Sequence, residues 1–157
     1  MARPKNLSQR RSRARRVALQ AIYQWQVAHQ DLIDIERQFL ASEETEGADR
    51  DYFHELLHRV PAELSDLDAA LAPLLDRRIE AVDPVERALL RMGAYELLRR
   101  PDVPYRVVIN EAVELAKVFG AEQGHRYING ILDGLARRVR PAEAAPGSGS
   151  SRPCPTV

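Results

Sequence analysis

The sequence predicts an all-α fold of about seven helices in two packed sub-bundles. Apolar residues recur at steps of three and four along most of the chain, whereas no useful length alternates between apolar and polar residues as a strand would. Short segments rich in Pro, Gly and Asp separate these helical stretches. An apolar fraction of 45% is enough to build a core.

The first helix is predicted over residues 8–29, with Ser8 as its N-cap. The second is predicted over residues 34–42 and is capped by Asp34. The acidic segment 43–51 follows, and we expect it to be a surface loop.

The third helix is predicted to begin at residues 49–51 and to be interrupted by Pro61. A fourth helix follows, and we expect Pro73 to kink or shorten it. The segment 77–83 is the best candidate for a boundary between two halves of the fold.

Three more helices are predicted in the second half, over residues 84–99, 104–119 and 121–139. Asp83 followed by Pro84 is a strong helix start, because the carboxylate can cap the helix and Pro is well tolerated at its first position. These elements give a helical domain over residues 10–140, with sub-bundles at about 10–76 and 83–140. It is flanked by a basic flexible arm, residues 1–9, and by a tail, residues 141–157, whose Pro, Gly and Ser content predicts disorder.

The charge is concentrated at one end of the chain, although 23 basic and 23 acidic residues balance overall. Residues 1–16 hold seven of the basic residues and none of the acids, which leaves 16 basic against 23 acidic residues, a balance of −7, in the rest. This asymmetry indicates a local binding site for a polyanion, most simply RNA. The alternative is a basic tail that only aids solubility.

The sequence favours a cytoplasmic protein. No apolar stretch approaches the ~20 residues that span a bilayer, and no apolar segment follows the basic N-terminus as in a secretory signal. The single cysteine, Cys154, has no partner for an internal disulfide, which fits a reducing compartment.

One short motif resembles a metal site: His54-Glu55-Leu56-Leu57-His58 matches the H-E-x-x-H pattern of zinc proteases. No third ligand follows at a short downstream spacing. The sequence therefore favours two exposed or half-buried histidines over a zinc-dependent hydrolase, and we predict neither a metal nor a cofactor.

Polar residues also interrupt the apolar stretch of the sixth helix, at Asn110, Glu111 and Glu114. A catalytic carboxylate pair is one interpretation. The favoured one is that such groups satisfy helix ends or join the sub-bundles through buried hydrogen bonds. We therefore do not predict an enzyme.

An RNA site would combine phosphate contacts from the basic run with aromatic stacking. Tyr23 on the first helix and Tyr127 near the start of the seventh are the candidate platforms. Both tyrosines could instead simply pack, with the hydroxyl at the surface.

Three segments carry a family resemblance: RRSRARRVALQAIYQW, VERALLRMGAYELL and DVPYRVVINEAVELAKVFGAEQGHRYINGILD. They closely resemble the NusB family of bacterial transcription antitermination factors. The resemblance covers about residues 10–140 and implies an all-helical fold of two sub-bundles. It further implies a factor that pairs with NusE, a small-subunit ribosomal protein. The pair binds the boxA element of nascent RNA and helps RNA polymerase to complete ribosomal RNA operons.

The resemblance also implies which residues contact the RNA and which contact NusE. The RNA contacts carried over are Arg11, Arg13, Arg15, Arg16, Tyr23, Gln123 and Tyr127. Glu86 and Tyr105 are the implied contacts with NusE. Ser12 interrupts the arginine run, and Gln123 stands where relatives can carry Asp, which removes a negative charge beside phosphate.

Two alternatives stay open at this point. The chain could be a helical adaptor that binds only proteins, with its basic arm on an acidic partner. It could also form the homodimer found in some members of the family, which would hide the RNA surface.

Overall fold

Eight α-helices build residues 6–144, the part of the chain that the computed structural model describes, and no strand occurs in that part. The all-α prediction is confirmed. The helices are α1 Leu7–Ala28, α2 Leu32–Leu40, α3 Arg50–Ala62, α4 Leu64–Leu71, α5 Pro84–Arg99, α6 Tyr105–Phe119, α7 Gly124–Val139 and α8 Pro141–Ala144.

The first two helices start earlier than predicted because other residues cap them. The Asn6 side chain accepts a hydrogen bond from the Gln9 backbone N–H at 2.8 Å, and the Gln9 side chain accepts one from the Asn6 backbone. This capping box replaces the cap predicted at Ser8. In α2, Asp31 and not Asp34 is the cap. Residues 7–9 of the predicted flexible arm are therefore helical, and residues 1–5 lie outside the described part.

Proline and aspartate set most of the other boundaries as predicted. Asp83 accepts hydrogen bonds from the first turn of α5, which begins at Pro84, and α4 ends before Pro73. Pro61 differs from the prediction, because α3 continues through it and the break falls at Glu63. The predicted loop 43–51 contains a short 3₁₀ turn, Glu43–Thr45.

The first four residues of the predicted tail are helical. The predicted tail begins at residue 141, yet Pro141–Ala144 forms one helical turn; residues 145–157 lie outside the described part. The buried guanidinium of Arg140 donates hydrogen bonds to four backbone carbonyls around the α5–α6 connection, those of Glu96, Leu97, Arg100 and Val103. These bonds fix the end of α7 against that connection.

The two sub-bundles share one continuous apolar core, with α5 at its centre. Every residue from Ala88 to Leu97 is buried. At Gly93, a β-carbon would lie 2.7 Å from a methyl group of Leu132, so α5 and α7 approach closely there and a larger residue would require the buried Leu132 side chain to move. The core holds α1 and α7 in place, and these two helices carry most of the predicted RNA contacts.

Candidate nucleic-acid interface

One stripe on the outer face of α1 carries two arginines and an aromatic ring. Arg13, Arg16, Gln20 and Tyr23 follow one another at steps of three and four, so they share a face of the helix. Arg13 and Tyr23 lie ten steps apart on α1, which is about 15 Å along the helix axis. Tyr23 is 40% exposed, and we call these four residues the outer stripe.

A second aromatic residue completes this surface. The Arg16 guanidinium lies over the Phe119 ring at 5.0 Å from its centroid. Phe119 and Tyr23 both line an open, largely apolar hollow of about 490 Å³, together with Leu19, Val27, Phe39 and Val85. Phe119 was not among the predicted site residues. A large aromatic ring at the end of a helix, immediately before Gly120, was the available signal.

Acidic groups border the cationic end of the stripe. Arg13 donates from Nε to the Glu44 backbone carbonyl at 3.1 Å, and its Nη2 lies 3.9 Å from the Glu44 carboxylate. A second open hollow, also of about 490 Å³, has Arg13 and Arg16 among its lining residues, with Glu111 and Glu114 on α6. An anion that binds Arg13 must therefore compete with Glu44.

Arg15 faces the opposite way and is only 3% exposed. Its guanidinium donates three hydrogen bonds of 2.8–3.1 Å to the Glu96 carboxylate and one of 3.2 Å to Glu111. The Tyr52 hydroxyl donates to the same Glu96 carboxylate. Arg15 therefore lies in the interior and not on the surface that carries Arg13 and Arg16.

The charges in this interior cluster stabilise one another. Burial alone would lower the pKa of Arg15, but the hydrogen bonds and the charge of Glu96 outweigh it, so the pKa is raised. Burial, followed by the negative charge of Glu96, raises the pKa of Tyr52. Glu111 joins the cluster by accepting from Arg15 and from the Ser12 hydroxyl. For Glu111, the prediction of a hydrogen bond between sub-bundles is confirmed.

Arg11 shares the inner face of α1 with Arg15, one turn earlier. Its guanidinium lies over the Tyr52 ring at 4.7 Å, and its nitrogens lie 3.9 Å from Asp49 and 3.6 Å from Asp102. Two carboxylates and a ring already surround this cation, so it is less available to phosphate than Arg13 or Arg16.

The start of α7 carries the remaining predicted RNA contacts, Gln123 and Tyr127. Gln123 is exposed at the N-cap position, and its side chain makes no capping hydrogen bond. The Tyr127 hydroxyl donates to Asp76 at 3.0 Å, and Arg77 lies over its ring at 5.1 Å. Hydrogen bonds from Arg77 and Tyr127 hold the pKa of Asp76 at about 2. The cation beside Tyr127 is thus Arg77 and not an arginine of α1.

The two predicted NusE contacts lie at opposite ends of α7. Glu86 lies beside Gly124, where an added β-carbon would be 2.6 Å from its carboxylate oxygen. Burial and the charge of Asp83 raise the pKa of Glu86. The Tyr105 backbone N–H donates to Glu143, beyond the other end of the helix. Sixteen residues of α7 extend about 24 Å, so Glu86 and Tyr105 do not form one compact patch.

No helix within residues 6–144 is both long and apolar enough to cross a membrane.

Comparison with known proteins places this geometry in context. The model of the NusB family matches residues 12–137. The chain is 57% identical to the transcription antitermination protein NusB of Alcanivorax borkumensis over 145 residues, which cover 92% of this chain and 96% of the relative. It is also 57% identical to that of Nitrosococcus oceani over 137 residues, 87% of this chain and 92% of the relative. The solved structure of Thermotoga maritima NusB superposes with a TM-score of 0.76 at 30% identity, covering 85% of this chain and 95% of that one.

Proposed function

The chain belongs to the NusB family, whose matched relatives are transcription antitermination proteins, and from this premise we propose that it is a non-enzymatic, cytoplasmic RNA-binding factor. With NusE it binds boxA RNA of ribosomal RNA operons and promotes processive transcription by RNA polymerase.

The outer stripe of α1 is the observation that carries the RNA-binding part of this proposal. Arg13 and Arg16 lie one turn apart at the surface, where they can contact neighbouring phosphates. Tyr23 follows two turns later and is exposed enough to stack with a base. Cations supply affinity without sequence preference, and ring stacking adds contact with the unpaired bases of a single strand.

The RNA path continues from the outer stripe toward α7. Phe119, under Arg16, ends α6, and four residues connect it to Gly124 at the start of α7. The exposed amide of Gln123 is neutral, so it does not repel phosphate, and the positive end of the α7 dipole lies at this end of the helix. Tyr127 lies one turn further on and provides a second possible stacking surface.

The NusE contact is proposed on charge and position. The chain after residue 16 has a balance of −7, which suits a basic ribosomal partner. Because Glu86 and Tyr105 lie at opposite ends of α7, a small partner interface would include one of them and leave out the other. Separate Glu86→Ala and Tyr105→Ala variants in a NusE pull-down would decide which end it occupies.

The direct test measures RNA affinity by fluorescence anisotropy at one salt concentration, with a boxA oligonucleotide and a scrambled oligonucleotide of the same composition. We expect tighter binding to boxA, and a larger difference when NusE is present. Equal affinity for both RNAs, with NusE binding intact, would instead support a helical adaptor that recognises only proteins. Sedimentation at the same concentrations would reveal whether a homodimer competes with RNA.

A further inference from the structure

Two histidines and a glutamate converge where α2 meets α3. His54 Nδ1 lies 2.6 Å from one carboxylate oxygen of Glu36, and His58 Nε2 lies 2.8 Å from the other. The centroids of the two imidazole rings lie 4.3 Å apart, and the ring planes are tilted by 35°. One ligand atom from each of the three side chains lies within 4.8 Å of the other two.

The third member of this cluster comes from the preceding helix. In the H-E-x-x-H pattern the third ligand follows the two histidines, but no ligand follows His58 at a short downstream spacing. Glu36 lies 18 residues upstream of His54 on α2. The packing of α2 against α3 brings it to the histidine pair, a juxtaposition that spacing along the chain does not reveal.

We propose that Glu36, His54 and His58 form a binding site for a divalent transition-metal ion of the zinc class, which links α2 to α3. Two imidazole nitrogens and one carboxylate oxygen are a donor set that zinc accepts, and a water molecule would complete a tetrahedral shell. Magnesium and calcium prefer oxygen ligands and should bind poorly.

The three ligand atoms must rearrange to admit the ion. Tetrahedral zinc with bonds of ~2.0–2.1 Å places neighbouring ligand atoms about 3.3 Å apart, so each histidine nitrogen must move away from the carboxylate oxygen that it now contacts, at 2.6 Å for His54 and 2.8 Å for His58, and bond to the ion instead. His54 is 59% exposed and can make this movement without disturbing the core, whereas Glu36 at 16% is held more firmly.

The site is a structural link and not the centre of a hydrolase. In a zinc protease the glutamate of the motif acts as general base beside the metal. Here Glu55 accepts hydrogen bonds from the Tyr95 hydroxyl at 2.7 Å and from Arg100 at 2.8 Å. Burial and the bond to Glu55 raise the pKa of Tyr95 to about 12. The Glu55 carboxylate therefore lies on another face of α3 and is already hydrogen-bonded there. This position does not fit the general base of a metallo-hydrolase.

Thermal unfolding of the full chain in the presence of zinc tests the proposal. A Cys154→Ser background removes the single thiol, which could bind zinc by itself. We expect the Tm to rise with zinc concentration, by roughly 5–10 °C at a hundred times the Kd, and to stay unchanged with magnesium. His54→Ala, His58→Ala and Glu36→Gln should each abolish most of the rise.

The matched control is His125→Ala, which removes a histidine of α7 outside the cluster and should keep the full response. Visible absorption of bound cobalt(II) gives a second measurement that does not depend on unfolding. His54→Ala is the variant to use in it, because the exposed His54 side chain can be removed with the least effect on the fold. The proposal is overturned if zinc leaves the Tm of the parent unchanged. It is equally overturned if the three cluster variants respond as strongly as His125→Ala, or if cobalt absorption survives His54→Ala.

Discussion

The inner and outer faces of α1 use the same residue type for different purposes. On the inner face, Arg15 is buried against Glu96 and Glu111, and Arg11 is surrounded by Tyr52 and two aspartates. On the outer face, Arg13 and Arg16 border open hollows. The position of an arginine around the helix, and not composition, therefore decides which charges remain for a ligand: of the four arginines predicted to contact RNA, two border open hollows and two are paired on the inner face.

Removing the charge of Arg15 on the inner face should have the largest effect, and it should lower the free energy of unfolding. Arg15→Met leaves Glu96 buried without its cation, which typically costs about 3–5 kcal/mol. Urea unfolding followed by circular dichroism measures it. The double variant Arg15→Met/Glu96→Met removes both charges and should recover much of the loss. A single variant as stable as the parent, with weaker RNA binding, would return Arg15 to the interface.

Breaking the outer face should instead weaken RNA binding and leave stability within about 0.5 kcal/mol. Arg13→Ala/Arg16→Ala removes two phosphate contacts, so the slope of log K against log salt concentration should become shallower by about 1.4. Anisotropy titrations at several salt concentrations measure it. Arg137→Ala/Arg138→Ala, two exposed cations near the end of α7, is the charge-matched control. An equal change in both variants would mean that only net charge matters.

The aromatic part of the outer stripe should contribute next. Tyr23→Ala should cost about 1–3 kcal/mol of RNA affinity if a base stacks on the ring, and Tyr23→Phe should keep most of it. The same measurement on Tyr127→Ala sharpens the comparison between helices. A loss there, of similar size, would extend the interface to α7; no loss would assign Tyr127 to its contacts with Asp76 and Arg77.

The smallest effect should come from the acid that competes for the outer stripe. Glu44→Gln removes a partly exposed carboxylate 3.9 Å from Arg13 but keeps the backbone carbonyl that accepts from Nε. RNA affinity should rise roughly two- to fivefold, because exposed ion pairs are worth up to about 1 kcal/mol. Glu43→Gln, its neighbour in the same turn, is the control. An unchanged affinity would show that Glu44 does not compete.

The sequence was informative where local chemistry decides the outcome. Asp83 and Pro84 mark the start of α5 because capping and a fixed φ act within one turn, and periodicity alone indicates an all-α fold. The same periodicity contained the signal that Arg15 points inward, since it lies one turn before the buried Leu19 and beside Ala14 and Ala18. A search for charge alone passed over it.

Contacts between distant segments were beyond sequence reasoning. Glu96 meets Arg15 across 81 residues, and Glu36 meets His54 from another helix. Neither contact can be predicted from the spacing of residues along the chain, because both depend on how whole helices pack. The separation of Glu86 from Tyr105 follows from the position of α7 and could not be read from two residues that both begin helices.

The anchoring of Arg140 on four carbonyls has a practical consequence for any experiment that attaches a label. It holds the point from which the chain continues beyond Ala144 at the end of α7 remote from Gln123. A dye attached at Ala144, the last described residue, would therefore lie away from the proposed RNA path. One attached at Asn6 would adjoin the helix that carries Arg13 and Arg16 and would obstruct the binding event being measured.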